Sequence, residues 1–457
     1  MAKMKTRFVC QSCGFEAPKW FGKCYGCQAY NTAVEEVIPN GIRQHSRALG
    51  AGRGPQPIKS VESGHYRRFD TGSAEFNRVL GGGLVQGSLI VISGDPGIGK
   101  TTLLSQVSAF IADHYGTTLY VSGEESPEQI KIRSERLGTL SDHLHILSET
   151  NMDLIDGYIH DMSPSFVVLD SIQTMYQPDI QSAPGSVAQV RECTMHLTRL
   201  AKTLNIPMMV VAHVTKEGTM AGPRLLDHMV DVVLYLEGEK NYGFRMLRAF
   251  KNRFGNTAEL GVYEMTEKGM EEIPDPSAYL LGEQIQAESG SAIVCSVKSA
   301  RPIMVELQAL VVENHTGALP RRTAVGIDRD RLNLITAVLQ KRCHLPIGFH
   351  DVYVSLVGGV EINETSIDLG LAAALYSSMR DIPIPPHHVI LGEVDLAGRV
   401  RPVPNAEQLV KEALKLGFEQ CILPAKNLQK LEYINGIRLF GVKTIDELIQ
   451  WLGAGNA

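Results

Sequence analysis

At 457 residues, with 44% hydrophobic and 21% charged residues, the chain is long enough to bury more than one core, about three domains at ~150 residues each. No run approaches the ~18 apolar residues of a membrane span, and the start MAKMKTRFVC passes straight into cysteines and charges without the apolar core of a secretory signal, so the expected location is the cytoplasm. The net charge of −6 argues against a uniformly basic nucleic-acid coat, yet residues 1–70 hold 11 Lys or Arg against 5 Asp or Glu, a +6 arm ahead of a −12 body, which suits a phosphate backbone or a solvated linker equally.

In chain order, Cys10, Cys13, Cys24 and Cys27 come first, as C-x2-C, ten residues, and C-x2-C. Two such knuckles close a tetrahedral thiolate cage around Zn²⁺, and a segment this small cannot fold on its apolar surface alone. A zinc finger is expected over residues 1–30. Cys193, Cys295, Cys343 and Cys421 stand singly and read as core residues. Residues 31–59, including NGIRQHSRALGAGRGPQPIK, are poor in periodic apolar positions and rich in Gly, Pro and Arg, the composition of a linker.

The run LIVISGDPGIGKTT, residues 89–102, joins an apolar strand to a glycine-rich loop and a helix start. Gly94, Gly99, Lys100 and Thr101 satisfy the G-x-x-x-x-G-K-[ST] phosphate-loop pattern, with Asp95, Pro96, Gly97 and Ile98 between. In such a loop the backbone N–H groups wrap phosphates, the lysine reaches the β- and γ-phosphates, and the hydroxyl holds Mg²⁺. ATP and Mg²⁺ are therefore the expected ligands. Beyond it, TTLYVSGEES, FVVLDSIQT, PMMVVAHVTKEG and VDVVLYLEGE alternate with helical lengths, which implies a mostly parallel sheet covered on both faces. FRMLRAFKNRFG and ELGVYEMTEKGM extend it antiparallel, and the ATPase domain spans 60–275.

Within that domain Asp170 ends the strand FVVLD, where a carboxylate orients Mg²⁺ through water. Glu124 and Glu125 end the strand TLYVS: Glu124 is the expected general base and Glu125 its support, the alternative being that both cap the helix at Ser126 and Pro127. Residues 276–457 alternate strands and helices of their own and form a separate α/β domain.

Together the four-cysteine finger, YVSGEES, AHVTKEG and above all KNRFG, Lys251–Gly255, resemble the bacterial RadA (Sms) family of DNA-repair proteins along essentially the whole chain. The resemblance implies an α/β protein with a small N-terminal four-cysteine zinc finger, a RecA-like phosphate-loop ATPase core and a C-terminal Lon-protease-like domain. It further implies a homo-hexamer that binds single-stranded and branched DNA, cooperates with RecA and drives branch migration. On it, Lys251 and Arg253 reach a neighbouring subunit's γ-phosphate, where a solvated strand edge is the plainer reading. His213 becomes a γ-phosphate sensor, and Arg191, Lys216 and Arg224 lie near DNA phosphates. The Ser and Lys of the Lon dyad fall on Asp368 and Glu407, which supply neither nucleophile nor amine base. No peptidase activity is therefore expected, and the two carboxylates would repel unless one took a proton or cations intervened, with Arg399 and Arg401 available to DNA phosphates and Ser366 and Lys411 nearby. The rival functions are a Lon-like peptidase and a KaiC-like regulatory ring.

Overall fold

The computed structural model describes residues 6–10, 15–26, 28–37, 57, 59, 67–213, 226–238, 244–282, 287–298, 301–315, 319–362, 364–431 and 433–454. It divides into two compact units, Met1–Glu272 and Ile273–Ala457.

The chain opens with a small antiparallel sheet of β1 (Thr6–Cys10), β2 (Glu16–Ala17) and β3 (Ala33–Val37), in the order β2-β1-β3. Its buried core is Cys10, Phe21 and Cys24, with Phe8 and Phe15 packed against them. So few apolar groups do not offset the backbone entropy of some thirty residues.

Next come β4 (Arg68–Phe69), α1 (Ala74–Leu80) and β5 (Leu84–Val85), and then the main sheet. Six strands run parallel in it: β6 (Leu89–Gly94), β7 (Thr118–Ser122), β8 (Leu144–Ser148), β9 (Phe166–Asp170), β10 (Met208–His213) and β11 (Val232–Glu237). Three more, β12 (Phe244–Asn252), β13 (Leu260–Thr266) and β14 (Gly269–Glu272), continue it antiparallel. The order is β14-β13-β12-β11-β6-β10-β9-β7-β8. The strands that read as near-continuous apolar runs are those with both faces covered. Ile90 and Ile92 pack with α1, α2 (Lys100–Tyr115) and α3 (Pro127–Leu137), whereas Leu89 and Val91 pack with α4 (Met152–Met162) and α5 (Val187–Leu204). The period-two alternation of β6 thus feeds two cores at once.

Helix α3 starts on Ser126, whose hydroxyl accepts from the Gln129 N–H while the Gln129 side chain accepts from the Ser126 N–H, and Pro127 occupies the first turn. The glutamates before it are therefore not its cap. The KNRFG turn fastens α1 to the sheet: Asn252 donates to the Val79 carbonyl at 3.1 Å, and Arg68 donates to the Phe254 carbonyl at 3.0 Å.

The second unit is built on a seven-stranded mixed sheet in the spatial order Arg322–Val325, His350–Leu356, Arg301–Glu313, Ser291–Lys298, His388–Ile390, Gln420–Pro424 and Arg438–Val442. The helix Asp368–Arg380, which carries LGLAAAL, is buried over almost its whole first ten residues.

Gly255 packs directly on α1's cap glycine: a Cβ added there would lie 2.8 Å from the Gly81 Cα and 3.0 Å from the Asn252 amide. Both neighbours are held by the turn, so Gly255→Ala is expected to cost about 1–3 kcal/mol, read as a lower urea midpoint for the ATPase unit with its DNA-free nucleotide affinity retained.

Candidate functional site

The phosphate loop leaves the carboxyl end of β6 and enters α2 at Lys100. Only glycine fits at Gly94, where φ is 151° and a Cβ would stand 2.2 Å from the Leu236 carbonyl oxygen. Asp95, Pro96 and Gly97 are exposed at the mouth of the loop, while Ile98 is buried. The Lys100 ammonium is buried and donates to the carbonyls of Gly94 at 2.7 Å and Asp95 at 3.0 Å. Burial draws its pKa below the ordinary lysine value, against the opposing pull of Asp170, Asp95 and Glu124.

Asp170 lies at the end of β9, buried, with one carboxylate oxygen accepting from the Thr101 hydroxyl at 2.9 Å and the Tyr120 hydroxyl at 2.8 Å. Burial raises its pKa, the two hydroxyl donors lower it, Glu124 raises it and His213 lowers it. Hard oxygens from Thr101 and Asp170 beside one ammonium form a donor set that fits Mg²⁺ with a polyphosphate. At the end of β7 the two glutamates part company. Glu124 accepts from the Ser171 hydroxyl at 2.5 Å and stands 3.1 Å from His213 Nε2, whereas Glu125 turns to an ion pair with Arg133. Asp170, Ser171, Glu124 and His213 thus converge where β7, β9 and β10 end.

Lys251, on β12 between β11 and β13, and Arg253, just beyond it, stand toward the starting end of β6 and β11. Val233 pairs with both Lys251 and Val91, and the Arg253 N–H donates to the Asp231 carbonyl, whose own N–H donates to Leu89 at the start of β6. At ~3.3 Å per residue, Gly94 is about 10 Å of strand from Val91, level with Lys251, and about 16 Å from Leu89, level with Arg253. Lys251 donates to the carbonyls of Asp227 and of Val230, the latter at 2.8 Å, and Arg253 meets Asp231 at 3.3 Å. Burial and Arg253 lower the Lys251 pKa, against the pull of Asp231 and Asp227. Of the cations expected near DNA, Arg191 is exposed on α5, and Lys216 and Arg224 lie outside the described residues.

Residues 60–219 match the AAA domain family, residues 8–35 the rubredoxin metal binding domain, and residues 316–427 the family of subunit ChlI of Mg-chelatase. The chain is 52% identical over 454 residues to the DNA repair protein RadA of Bacillus subtilis, covering 98% of this chain and 99% of that one. To the DNA repair protein RadA of Listeria monocytogenes it is 46% identical over 450 residues, 98% of each. The chain belongs to the RadA family of DNA repair proteins. It has that family's zinc-ribbon, RecA-like and Lon-like α/β parts and is a phosphate-loop ATPase. A solved KaiC-like protein of Pyrococcus horikoshii, 19% identical, overlays 46% of this chain and 100% of its own with a TM-score of 0.39.

In this RadA-family ribbon Cys10 and Cys24, one from each knuckle, share the buried core, and the Gly26 N–H donates to the Cys24 sulfur at 3.3 Å. Backbone N–H groups aimed at buried sulfur suit a thiolate metal site. Cys13 and Cys27 lie outside the described residues, and among the described residues no group of three metal-binding side chains is assembled.

At the two positions expected to match the Lon dyad, each carboxylate has its own cation. Asp368 is fully buried and takes a bidentate pair from Arg331, with Nε at 2.6 Å, plus the Val394 N–H at 3.0 Å. Glu407 is half-exposed and pairs with Lys411 at 2.6 Å. The cation on Asp368 is thus Arg331, 37 residues upstream, rather than Arg399 or Arg401, which both close on Asp395 at 2.9 and 2.8 Å. The Ser366 hydroxyl donates to Glu364 at 3.5 Å.

Sequence reasoning missed Arg245, Tyr120, Ser171 and Arg331. Arg245 is buried on β12 and its Nε donates to the Ile98 carbonyl of the phosphate loop at 3.2 Å. Its signal was a charge inside the apolar run FRML. The others had none, since a Tyr or Ser beside a strand and an Arg on a helix are ordinary residues until the fold sets a carboxylate against them.

Arg331→Ala leaves the Asp368 carboxylate buried without its cation, and about 3 kcal/mol of stability is expected to go with it. Pairing it with Asp368→Leu should restore most of the loss in the unfolding of the C-terminal unit.

Proposed function

We propose that the chain is a DNA-stimulated ATPase of homologous recombination that assembles as a homo-hexamer, binds single-stranded and branched DNA, and uses ATP hydrolysis to move along DNA, extending RecA-made joints by branch migration. The observation that carries the hydrolytic part is the Glu124 carboxylate held by Ser171 and faced by His213, beside the Asp170–Thr101 contact. The DNA part rests on membership of a DNA-repair family. The working division is a finger from residue 1 whose sheet continues past the expected end at 30 to β3 at Val37, a linker from there to 59, the ATPase over 60–275 and the Lon-like domain over 276–457.

Gly97, Ile98 and Gly99 of the loop present backbone N–H groups to the phosphates, Pro96 having none, and Lys100 exchanges its two carbonyl partners for phosphate oxygens. Mg²⁺, held by Thr101 and Asp170, would neutralise charge on the β- and γ-phosphates. Glu124 takes the proton of the attacking water. Ser171 fixes the direction of that carboxylate, and His213 reports on the γ-phosphate through the same oxygen. Glu125, tied to Arg133, anchors the turn that carries Glu124. Lys251 and Arg253, about 10 and 16 Å of strand from their own loop, act on a neighbour's nucleotide. Zn²⁺ binds Cys10, Cys13, Cys24 and Cys27 and ties the ribbon together. The C-terminal domain is a scaffold without peptidase activity, a reading supported by Ser366 donating to Glu364 and Lys411 to Glu407, so that this hydroxyl and this amine are each engaged with a carboxylate.

Lys100→Ala should abolish turnover in a folded protein, and Glu124→Gln should bind ATP while hydrolysing it about 10²–10⁴-fold more slowly. A wild-type rate for Glu124→Gln would remove the base. The DNA assignment is tested by ATP turnover with and without single-stranded DNA, where a rise is expected and an unchanged rate counts against it.

Rings mixed from Lys100→Ala and Arg253→Ala subunits should show activity that varies non-additively with the mixing ratio. Strict proportional averaging would place Arg253 outside the neighbour's site.

A further inference from the structure

We infer that the face of the N-terminal ribbon bearing Lys19, Trp20, Lys23, Tyr25 and Tyr30 is a stacking surface for the unpaired bases of single-stranded DNA. This rests on the DNA reading above and adds a site to it.

The ribbon sorts its aromatic residues by polarity. Phe21 is 6% exposed and packs with the cysteines, while Trp20, Tyr25 and Tyr30 are 60%, 81% and 69% exposed. A domain with so small a core has every reason to bury large rings, so three left in water call for an explanation. They are also held in place. The Trp20 indole lies along Gly22, 3.4 Å from where a side chain would begin, which pins the ring against backbone. Tyr25 stands edge-on to Phe15 with centroids 6.1 Å apart, and Phe15 in turn meets Phe21 at 5.8 Å. Tyr30 pairs with Lys23 across a β-bridge, and the Lys23 ammonium sits 5.3 Å from the Tyr30 ring centroid.

The chemistry of the face selects its partner. From Lys19 to Tyr30 there is no Asp or Glu, and no Leu, Ile, Val or Met. A protein-docking centre uses the same rings but is depleted in lysine. Here flat rings alternate with ammonium groups, so each ring offers a base a π-face and each lysine offers a phosphate a counter-charge. That is the division of labour of a sequence-tolerant single-strand surface. Lys19, Trp20, Lys23, Tyr25 and Gln28 line one open groove, which gives the strand a track.

Trp20 and Trp451 are the only tryptophans in the chain, so Trp451→Phe in the full-length protein makes Trp20 the sole reporter. Titration with a fluorescently labelled oligothymidylate then gives two readouts, label anisotropy and Trp20 emission. Emission is expected to be quenched in step with the anisotropy rise, with the midpoint weakening as salt increases. Trp20→Ala and Tyr30→Ala should each weaken binding about tenfold, with zinc content and DNA-free ATP turnover unchanged, while Trp20→Phe, which keeps a ring, should bind close to wild type. Oligonucleotide binding with unchanged Trp20 emission and no effect of either alanine would overturn the inference while leaving the DNA reading intact. Absence of any anisotropy rise would remove both. Emission that responds to a RecA filament and not to free oligonucleotide would also overturn it, in favour of protein docking.

Discussion

Asp170 is the residue on which the nucleotide end of this molecule depends. A buried carboxylate is costly unless its lone pairs are satisfied, and here the donors are the Thr101 hydroxyl of α2 and the Tyr120 hydroxyl of β7. Satisfying that one group therefore ties the phosphate-loop helix to two neighbouring strands. It also brings the ends of β7, β9 and β10 into one pocket edge, where Glu124, Ser171 and His213 meet.

The opposite end of the same central strands repeats the logic with a different purpose. Asp231 is buried and accepts from Lys202 at 2.6 Å, from the Leu89 N–H at 3.1 Å and from Arg253. Lys251 is spent on two main-chain carbonyls beside it. The KNRFG turn is thus a structural joint of α1, β11 and β12 as well as a cationic surface, and Arg253, whose side chain is 54% exposed, is the more available of its two cations.

In the C-terminal unit Asp368 is a third buried carboxylate. The Arg331 fork and the Val394 N–H fill its lone pairs, so the pair is a closed ionic lock. Removing either partner costs far more than the pair contributes, which makes this pair a structural joint of its unit.

The parallel order of the central strands was legible in the sequence because strands covered on both faces read as unbroken apolar runs, and the antiparallel β12 and β13 were legible as the segments that follow without a helix. The phosphate loop was legible because Gly94 has no permissible substitute beside the Leu236 carbonyl. Tertiary structure alone decided which of two adjacent glutamates enters the pocket, since Glu124 and Glu125 share a composition and differ only in the side of the turn on which Ser171 and Arg133 arrive. It alone set KNRFG toward the end of β6 away from its own phosphate loop, because distance along a strand depends on register and not on spacing in the chain. It also paired Asp368 with Arg331 instead of the nearer arginines: one buried carboxylate accepts the donor that the fold brings to it, and sequence proximity has no part in that choice.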